Sequence, residues 1–382
     1  MRVAIFTGGD LRLLGGGEKW IIRVTRWLIK NGNNVTIFSF VDAKDAKTNK
    51  KELETISGAC VKYYNTIKIP ILDERIPIGL DYSLLRDFDI IYNMDLSLLT
   101  NYFLNNAVRK FKKRYILGLH NPNAFRDKPV VKSTFRRLLL PVHNKIKFWV
   151  FRSIKIIHVI NTDQVKNLKK IKYKGKIYYI PNFVGGVGKA GPGSQKTFTV
   201  LFVGRLSILD KGIDLLREII ENVLGENEDI VFRVAGGGRE GTKIIRGLAK
   251  KYPKNFKWLG FLSEKNLRKE YGRADLFILT SRMESFGLVL IEAQGYGVPV
   301  IAFRLRGGVR DIIKNPFQGK LITPFQINEF SSAIMEYYNE WYLDRKSYNR
   351  NKDKIARFIS TNYNEKFIMP KILKMFNDDM VH

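Results

Sequence analysis

The chain holds one cysteine, Cys60, so no internal disulfide framework supports its fold, and a lone thiol fits a reducing compartment. Histidine is almost as scarce, with four in 382 residues and no metal-ligand spacing among them. No apolar run approaches the eighteen or so residues that a membrane-spanning helix needs. The opening strand, Val3 to Thr7, is too short for the core of a signal peptide. These absences predict a cytoplasmic protein. Acidic residues are the remaining deficit. Asp and Glu number 36 against 66 Lys and Arg, a net charge of +30, and the first 182 residues carry 34 basic against 14 acidic side chains. A field of one sign suits nucleic acid, anionic lipid or an acidic substrate. A lysine-rich proteome would also give it, with no partner at all.

What is present is enough for two globular domains: the length, and 45% hydrophobic residues. Apolar strands alternate with helical stretches. Val3–Thr7, Val35–Phe40, Asp89–Asn93, Tyr115–His120, Ile154–Asn161 and Ile177–Pro181 read as strands, with a helix from about Glu18 to Asn31 after the glycine string Gly15, Gly16, Gly17. Such alternation argues for a parallel, doubly wound sheet. The Gly-rich stretch 184–196 is the best linker, dividing a domain over 1–183 from a second over 197–354, with a terminal helix over 355–382.

The second domain restarts at the strand Phe198–Gly204, followed by Arg205, then Lys211-Gly212 and a helix from Ile213. Both cations thus leave the carboxyl end of one strand, where open parallel sheets bind ligands, and a diphosphate would suit them. Alone, they are equally readable as surface charges. Further on, the strand Asp275–Ser281 leads through Glu284 into a helix expected to begin near Ser285. Its first-turn amides, around Phe286, Gly287 and Leu288, would suit a phosphate. Ser285 and Glu292 are seven positions apart, so on one helix face Glu292 would lie about 10 Å along the axis, within reach of sugar hydroxyls. The plain alternative makes both glutamates solvated helix carboxylates.

The run TSRMESFGLVLIEAQGYGVPVIA, Thr280 to Ala302, resembles the donor-site signature of the retaining family 4 glycosyltransferases, Glu284 and Glu292 forming its E-x7-E motif. The resemblance implies the α/β fold called GT-B: two Rossmann-like, doubly wound parallel-sheet domains facing across a cleft, the terminal helix crossing back to the first. It implies an enzyme that moves a hexose from a nucleotide diphosphate sugar to an acceptor hydroxyl, retaining configuration; the scattered histidines, with no metal spacing, add the expectation of no metal, and no other cofactor is expected. On this pattern Arg205 and Lys211 meet the diphosphate, Glu284 a donor-sugar hydroxyl and Glu292 the ribose. Gly16 and Gly17 approach the donor phosphate, the backbone at Phe261 and Leu262 receives the nucleobase, and His120, closing a strand, contacts the donor sugar. Gly307 and Gly308 match a family turn, but Asp311 stands where glutamate is usual. The donor would be a UDP- or GDP-hexose.

Two features test the resemblance. Asp87 and Asp89 form an Asp-x-Asp pair of the kind that binds a divalent cation in metal-dependent glycosyltransferases, but they lead straight into a strand, so a solvated strand entrance is expected. Lys128 to Thr162 has eight basic residues, no acidic one and several aromatics. Arg136, Arg137, Lys145 and Lys147 would lie on an anionic membrane surface, placing the enzyme at the inner face of the cell membrane with a glycan or lipid-linked acceptor. A solvated core helix would look similar. A soluble acceptor, a basic nucleic-acid-binding protein, a donor-binding subunit without catalysis, and an epimerase or phosphorylase on a similar fold remain open. No recognised nucleic-acid module appears, so no specific nucleic acid is expected.

Overall fold

The computed structural model describes residues 1–13, 15–41, 54, 57–69, 74–94, 97–121, 145, 149–186, 188 and 197–378. They fall into two compact units, one of Met1–Asn182 with Met369–His382, the other of Phe183–Ile368.

The first unit is built on an eight-stranded sheet: β1 (Arg2–Phe6), β2 (Asn34–Val41), β3 (Cys60–Ile69), β4 (Glu74–Pro77), β5 (Ile90–Asn93), β6 (Arg114–Leu119), β7 (Ile156–Val159) and β8 (Lys176–Tyr179). Their spatial order is β4-β3-β2-β1-β5-β6-β7-β8, so the chain winds outward from β1 in one direction and resumes beside it with β5 in the other. β1, β2 and β5 are apolar runs buried along nearly their whole length, as strands covered on both faces must be. Among the described residues all pairings are parallel except β3 with β4. That antiparallel edge corrects the expected all-parallel sheet. β4 is only four residues long and ends on Pro77, which cannot donate to a ladder and suits an edge.

The second unit has six strands, β9 (Phe198–Val203), β10 (Ile230–Ala235), β11 (Phe256–Gly260), β12 (Leu276–Leu279), β13 (Val300–Phe303) and β14 (Gly319–Ile322), ordered β11-β10-β9-β12-β13-β14 and all parallel. The order reverses between β9 and β12. The helix Ile213–Glu226 buries Ile213, Leu216, Ile219, Ile220 and Val223, one stripe at helical spacing, against the β9–β10 side of the core.

The expected terminal helix from Ile355 is two helices, Arg345–Asn362 and Glu365–Asn377, parted at Tyr363 and Asn364. The first belongs to the second unit. Its Tyr348 hydroxyl donates to Asp275 O, Lys352 Nζ donates to Ala274 O, and Ile355 and Ile359 are buried. From Met369 the second is grouped with the first unit, where Phe376 stacks on Tyr92 and Arg114 donates to Met375 O. Among the described residues, no helix is long and apolar enough to cross a membrane.

Candidate functional site

In the second unit, the loops that follow β9 and β12 leave the sheet where its strand order reverses, the place where such sheets take ligands. The first carries Arg205 and Lys211, the second Glu284. The two loops are tied by their backbones. Arg282 N donates to Asp210 O at 2.8 Å, and Thr280 Oγ1 donates to Lys211 O at 2.9 Å. Arg282 also closes a fork on the Asp214 carboxylate, at 2.6 Å through each terminal nitrogen, and gives a further bond to Ile208 O. The fork and its charge hold the Asp214 carboxyl below its ordinary range. Gly212 makes this approach possible. Its φ is +62°, and a Cβ there would stand 2.3 Å from Thr280 O.

These bonds bring Lys211 Nζ onto Glu284 Oε1, which also accepts from Ser281 Oγ at 3.3 Å. Both partners are largely buried. Arg205 is different: its side chain is 70% exposed, and it leans on Asp210 at 3.3 Å. An exposed pair of that kind contributes little to stability and leaves the guanidinium available to an anion.

The stretch after Glu284 departs from expectation. The helix begins at Leu288, not near Ser285, and ends at Gln294. Gly287 causes the delay, because its φ of +95° cannot continue a right-handed helix. Ser285 and Glu292 therefore do not share one helix face. Ser285 and Phe286 form a turn instead. Ser285 O accepts from Gly308 N at 3.1 Å, and a Cβ at Gly308 would come 2.6 Å from Phe286 Cα. The Phe286 side chain is buried against Tyr363, so only its backbone can meet a ligand. Asp311 is buried in the short helix Val309–Ile312 beside this turn.

Glu292 accepts from Tyr271 Oη at 3.0 Å, and the buried Tyr271 ring stacks on Tyr296. Burial first, and then the Glu292 charge, push the Tyr271 hydroxyl well above its ordinary value, so it acts as a donor. At the end of β11, Phe261 is 85% exposed, its ring lying on Gly237, with Leu262 half-buried beside it.

The remaining expected residues lie in the first unit. Gly16 and Gly17 open the helix Gly16–Lys30 rather than a loop before it, with Gly15 as its cap. His120 follows β6. Its Nε2 is 2.9 Å from Tyr92 Oη, and its ring packs on Trp20 with centroids 4.6 Å apart. Asp89 Oδ2 accepts from Arg2 N at 2.7 Å, a strand-entrance bond, and no group of three or more possible metal ligands occurs among the described residues. Arg136, Arg137 and Lys147 lie outside the described residues. Lys145 is exposed, as is Trp149, which packs on Tyr102, whereas Val150 and Phe151 turn into the core.

Sequence reasoning missed Tyr271, Asp214 and Arg282, and it missed Tyr92 and His158 as partners of His120. Arg282 stands inside the quoted motif, but nothing in its spacing pointed to Asp214, 68 residues away. Tyr92 and His158 read as strand residues because β5 and β7 are apolar.

With this geometry in hand, comparison with known proteins is specific. Residues 189–355 match the family described as glycosyl transferases group 1. The chain is 26% identical to a GDP-mannose-dependent alpha-mannosyltransferase of Corynebacterium glutamicum, over 90% of this chain and 81% of that protein. It is 30% identical to the GtfA subunit of a UDP-N-acetylglucosamine–peptide N-acetylglucosaminyltransferase of Streptococcus agalactiae, over 46% of this chain. That match spans only about a third of the relative, 34% of its length. Among solved structures, Anabaena HepE in complex with UDP superposes with a TM-score of 0.74 at 16% identity, covering 99% of this chain and 100% of that one. The lipopolysaccharide outer core galactosyltransferase WaaB follows with 0.71 at 18%, covering all of both chains. Likeness at these identities shows the fold, which is GT-B. Residues 189–355, which hold Arg205, Lys211, Glu284 and Glu292, match the group 1 glycosyl transferases, and the fold that carries them is GT-B.

Proposed function

We propose that the chain transfers a hexose from a nucleotide diphosphate sugar to an acceptor hydroxyl, with retention at the anomeric carbon and without a metal. The Lys211–Glu284 pair beside Arg205, where the second sheet reverses, carries this reading. As the glycosidic bond stretches, negative charge gathers on the departing diphosphate. Lys211 and Arg205 offer that charge two cations, and a site that meets growing charge accelerates the step more than it tightens binding. In the free protein Glu284 occupies Lys211, and a donor would take over the ammonium while a sugar hydroxyl takes over the carboxylate. Glu292, held by Tyr271, suits the ribose hydroxyls. Neither carboxylate is presented as a nucleophile, so a leaving-phosphate oxygen would take the acceptor proton on the same face. The names of the relatives include both UDP- and GDP-linked sugars.

The decisive experiment incubates the chain with a panel of UDP- and GDP-hexoses and measures melting temperature and donor hydrolysis. A bound donor at a hundredfold excess over its dissociation constant stabilises by about 2.7 kcal/mol. Binding without any turnover would leave a donor-binding subunit, and no binding at all would sink the reading. Turnover with no acceptor hydroxyl, or with free phosphate, would point to an epimerase or a phosphorylase.

The acceptor is read as a glycan or lipid-linked sugar at an anionic membrane surface on the cytoplasmic side. Exposed Trp149 beside Tyr102, next to Lys145 in an acid-free stretch, supports this. Co-sedimentation with anionic liposomes at low salt, lost when Arg136, Arg137, Lys145 and Lys147 are changed to Glu, is the expected result. A wild type that ignores such liposomes makes the acceptor soluble. Gel shifts with steep salt dependence, at affinities matching donor binding, would instead favour nucleic acid.

A further inference from the structure

The positive charge of the first unit gathers at one end of its sheet. β5 to β8 run parallel, so their amino ends share an edge. Residues 98–121 hold five Lys or Arg and no acid, and residues 149–182 hold eight and one acid, Asp163. Asp163 opens its helix at the other edge, beyond the carboxyl end of β7. The cations cluster where two helices end. Arg109, Lys110 and Lys112 are exposed at the end of Leu98–Lys110, and Lys169, Lys170 and Lys172 at the end of Thr162–Lys170. Carbonyl contacts join the clusters: Arg109 donates to Ser153 O at 3.1 Å, Arg152 to Ile171 O at 3.5 Å, and Lys176 N to Lys155 O at 2.8 Å. Asp87 and Asp89 before β5, and Asp378 beside Lys176, offset only part of this charge.

The helix dipole accounts for cations in a last turn, but not for Lys112 and Lys172. Three helices of this unit end in the same way, on a left-handed residue: Gly32 at φ +77°, Lys112 at +52° and Lys172 at +53°. Their amides donate to Ile29 O, Arg109 O and Lys169 O, and the amides that follow reach back to Leu28 O, Val108 O and Leu168 O. Glycine takes this cap without a steric cost, whereas lysine does not. Two of three equivalent caps thus carry backbone strain that keeps an ammonium at this edge. A lysine-rich composition does not explain it either. In the second unit the helix Ile213–Glu226 leads to the amino end of β10 through exposed Glu226, Glu228 and Asp229.

We propose that the amino edge of β5 to β8 docks on an anionic lipid surface, with Lys112 and Lys172 among its contacts. This rests on the membrane part of the function proposed above and names the face that makes the contact. The two segments hold ten lysines against three arginines. Flexible ammonium groups suit a plane of headgroups, whereas nucleic acid favours arginine forks and stacked rings. One turn before Arg152, exposed Trp149 rests on Tyr102 and supplies an interfacial aromatic. Docking at this edge leaves the carboxyl ends of the same strands, where parallel sheets take ligands, turned away from the lipid.

The test measures binding of the full chain to phosphatidylglycerol vesicles, phosphatidylcholine vesicles and duplex DNA at low salt, together with melting temperature. Wild type should bind the phosphatidylglycerol vesicles and ignore the phosphatidylcholine ones. Lys112→Gly combined with Lys172→Gly should weaken that binding about fivefold for each lysine. Its melting temperature should hold or rise, because the left-handed strain is relieved. Lys250→Ala combined with Lys254→Ala removes the same charge from the second unit and should change binding less than about twofold. A lower melting temperature in the glycine variant makes the two lysines structural caps and overturns the assignment. Unchanged vesicle binding in that variant overturns this face, while the membrane reading still stands on the Glu variant described above. A wild type that ignores phosphatidylglycerol vesicles overturns both. Duplex DNA bound as tightly as the vesicles, with the same loss in the glycine variant, overturns lipid as the occupant.

Discussion

Where the second sheet reverses, at β9 and β12, charge is presented in pairs: Lys211 on Glu284 and Arg205 on Asp210, with Glu292 held by a tyrosine. On the β5 side of the first sheet's reversal the furniture is aromatic and neutral, with Trp20, Tyr92, His120 and His158 packed ring to ring. Both places sit beyond or between the same kind of parallel strands, so topology does not account for the difference. Side-chain chemistry does. Ion pairs at a rim can exchange partners when a diphosphate arrives, whereas buried neutral rings can hold a single hydrogen in a single place. The comparison teaches that the same kind of sheet can present exchangeable ion pairs beyond its strands in one unit and a closed, neutral hydrogen-bonded cluster between them in the other.

The largest effect should come from removing charge in the second unit. Lys211→Ala and Arg205→Ala should each lower turnover about 100-fold to 1000-fold, or about 3–4 kcal/mol, with much smaller changes in donor affinity. Steady-state kinetics on a hydrolysed or transferred donor checks this. If both variants keep normal turnover per folded molecule, the pairs are structural and the contrast between the two regions collapses.

Acid should break the first unit instead. Burial holds His158 down at about 4 from an ordinary 6.5, its bond to Ile180 O pulling weakly the other way. The unfolded chain takes up a proton near the ordinary value while the native ring refuses it. Stability is thus complete above that value and falls as pH drops toward the lowered one, by about 3 kcal/mol in full and about 2 by pH 5. Urea unfolding at pH 7 and pH 5 should show a larger loss in the wild type than in His158→Gln, where His120, also held well below its ordinary value by burial, still contributes.

A backbone change sharpens the comparison from the second unit's side. Gly212→Ala puts a Cβ into the Thr280 carbonyl at a left-handed φ, and it should cost roughly 1–3 kcal/mol. Melting temperature should fall, and turnover with it, because Lys211 is carried on the displaced loop. An unchanged melting temperature would show that the two loops are not held together as described. The smallest effect is expected of Tyr271→Phe, which frees Glu292 from one hydrogen bond. Donor affinity should weaken about fivefold, or about 1 kcal/mol, with saturated turnover nearly constant. A collapse of turnover in that variant would move Glu292 from binding into chemistry.

The charged site was more legible in the sequence than the neutral one, and for a physical reason. Arg205, Lys211, Glu284 and Glu292 lie at short spacings beside apolar strands, so the strand ends that present them could be read locally. The helix start after Glu284 was misplaced because the left-handed conformation of Gly287 is not decided by the residues around it. It depends on Ser285 O reaching Gly308 and on Phe286 burying against Tyr363. The antiparallel β3–β4 edge escaped because short edge strands carry weak alternation.

By itself the sequence determined the alternation of strands and helices, the surplus of positive charge, and the cations and carboxylates available at the ends of β9 and β12. Those are properties of neighbouring residues. Only the tertiary structure decided which carboxylate Lys211 meets, that Asp214 and Arg282 clamp its loop, and that Tyr92 joins His120 to His158. These partners stand between 28 and 73 residues apart along the chain. No periodicity encodes a hydrogen bond between them. It exists because parallel strands set side by side bring distant residues within 3 Å, and burial then leaves each polar atom only the neighbours it finds there.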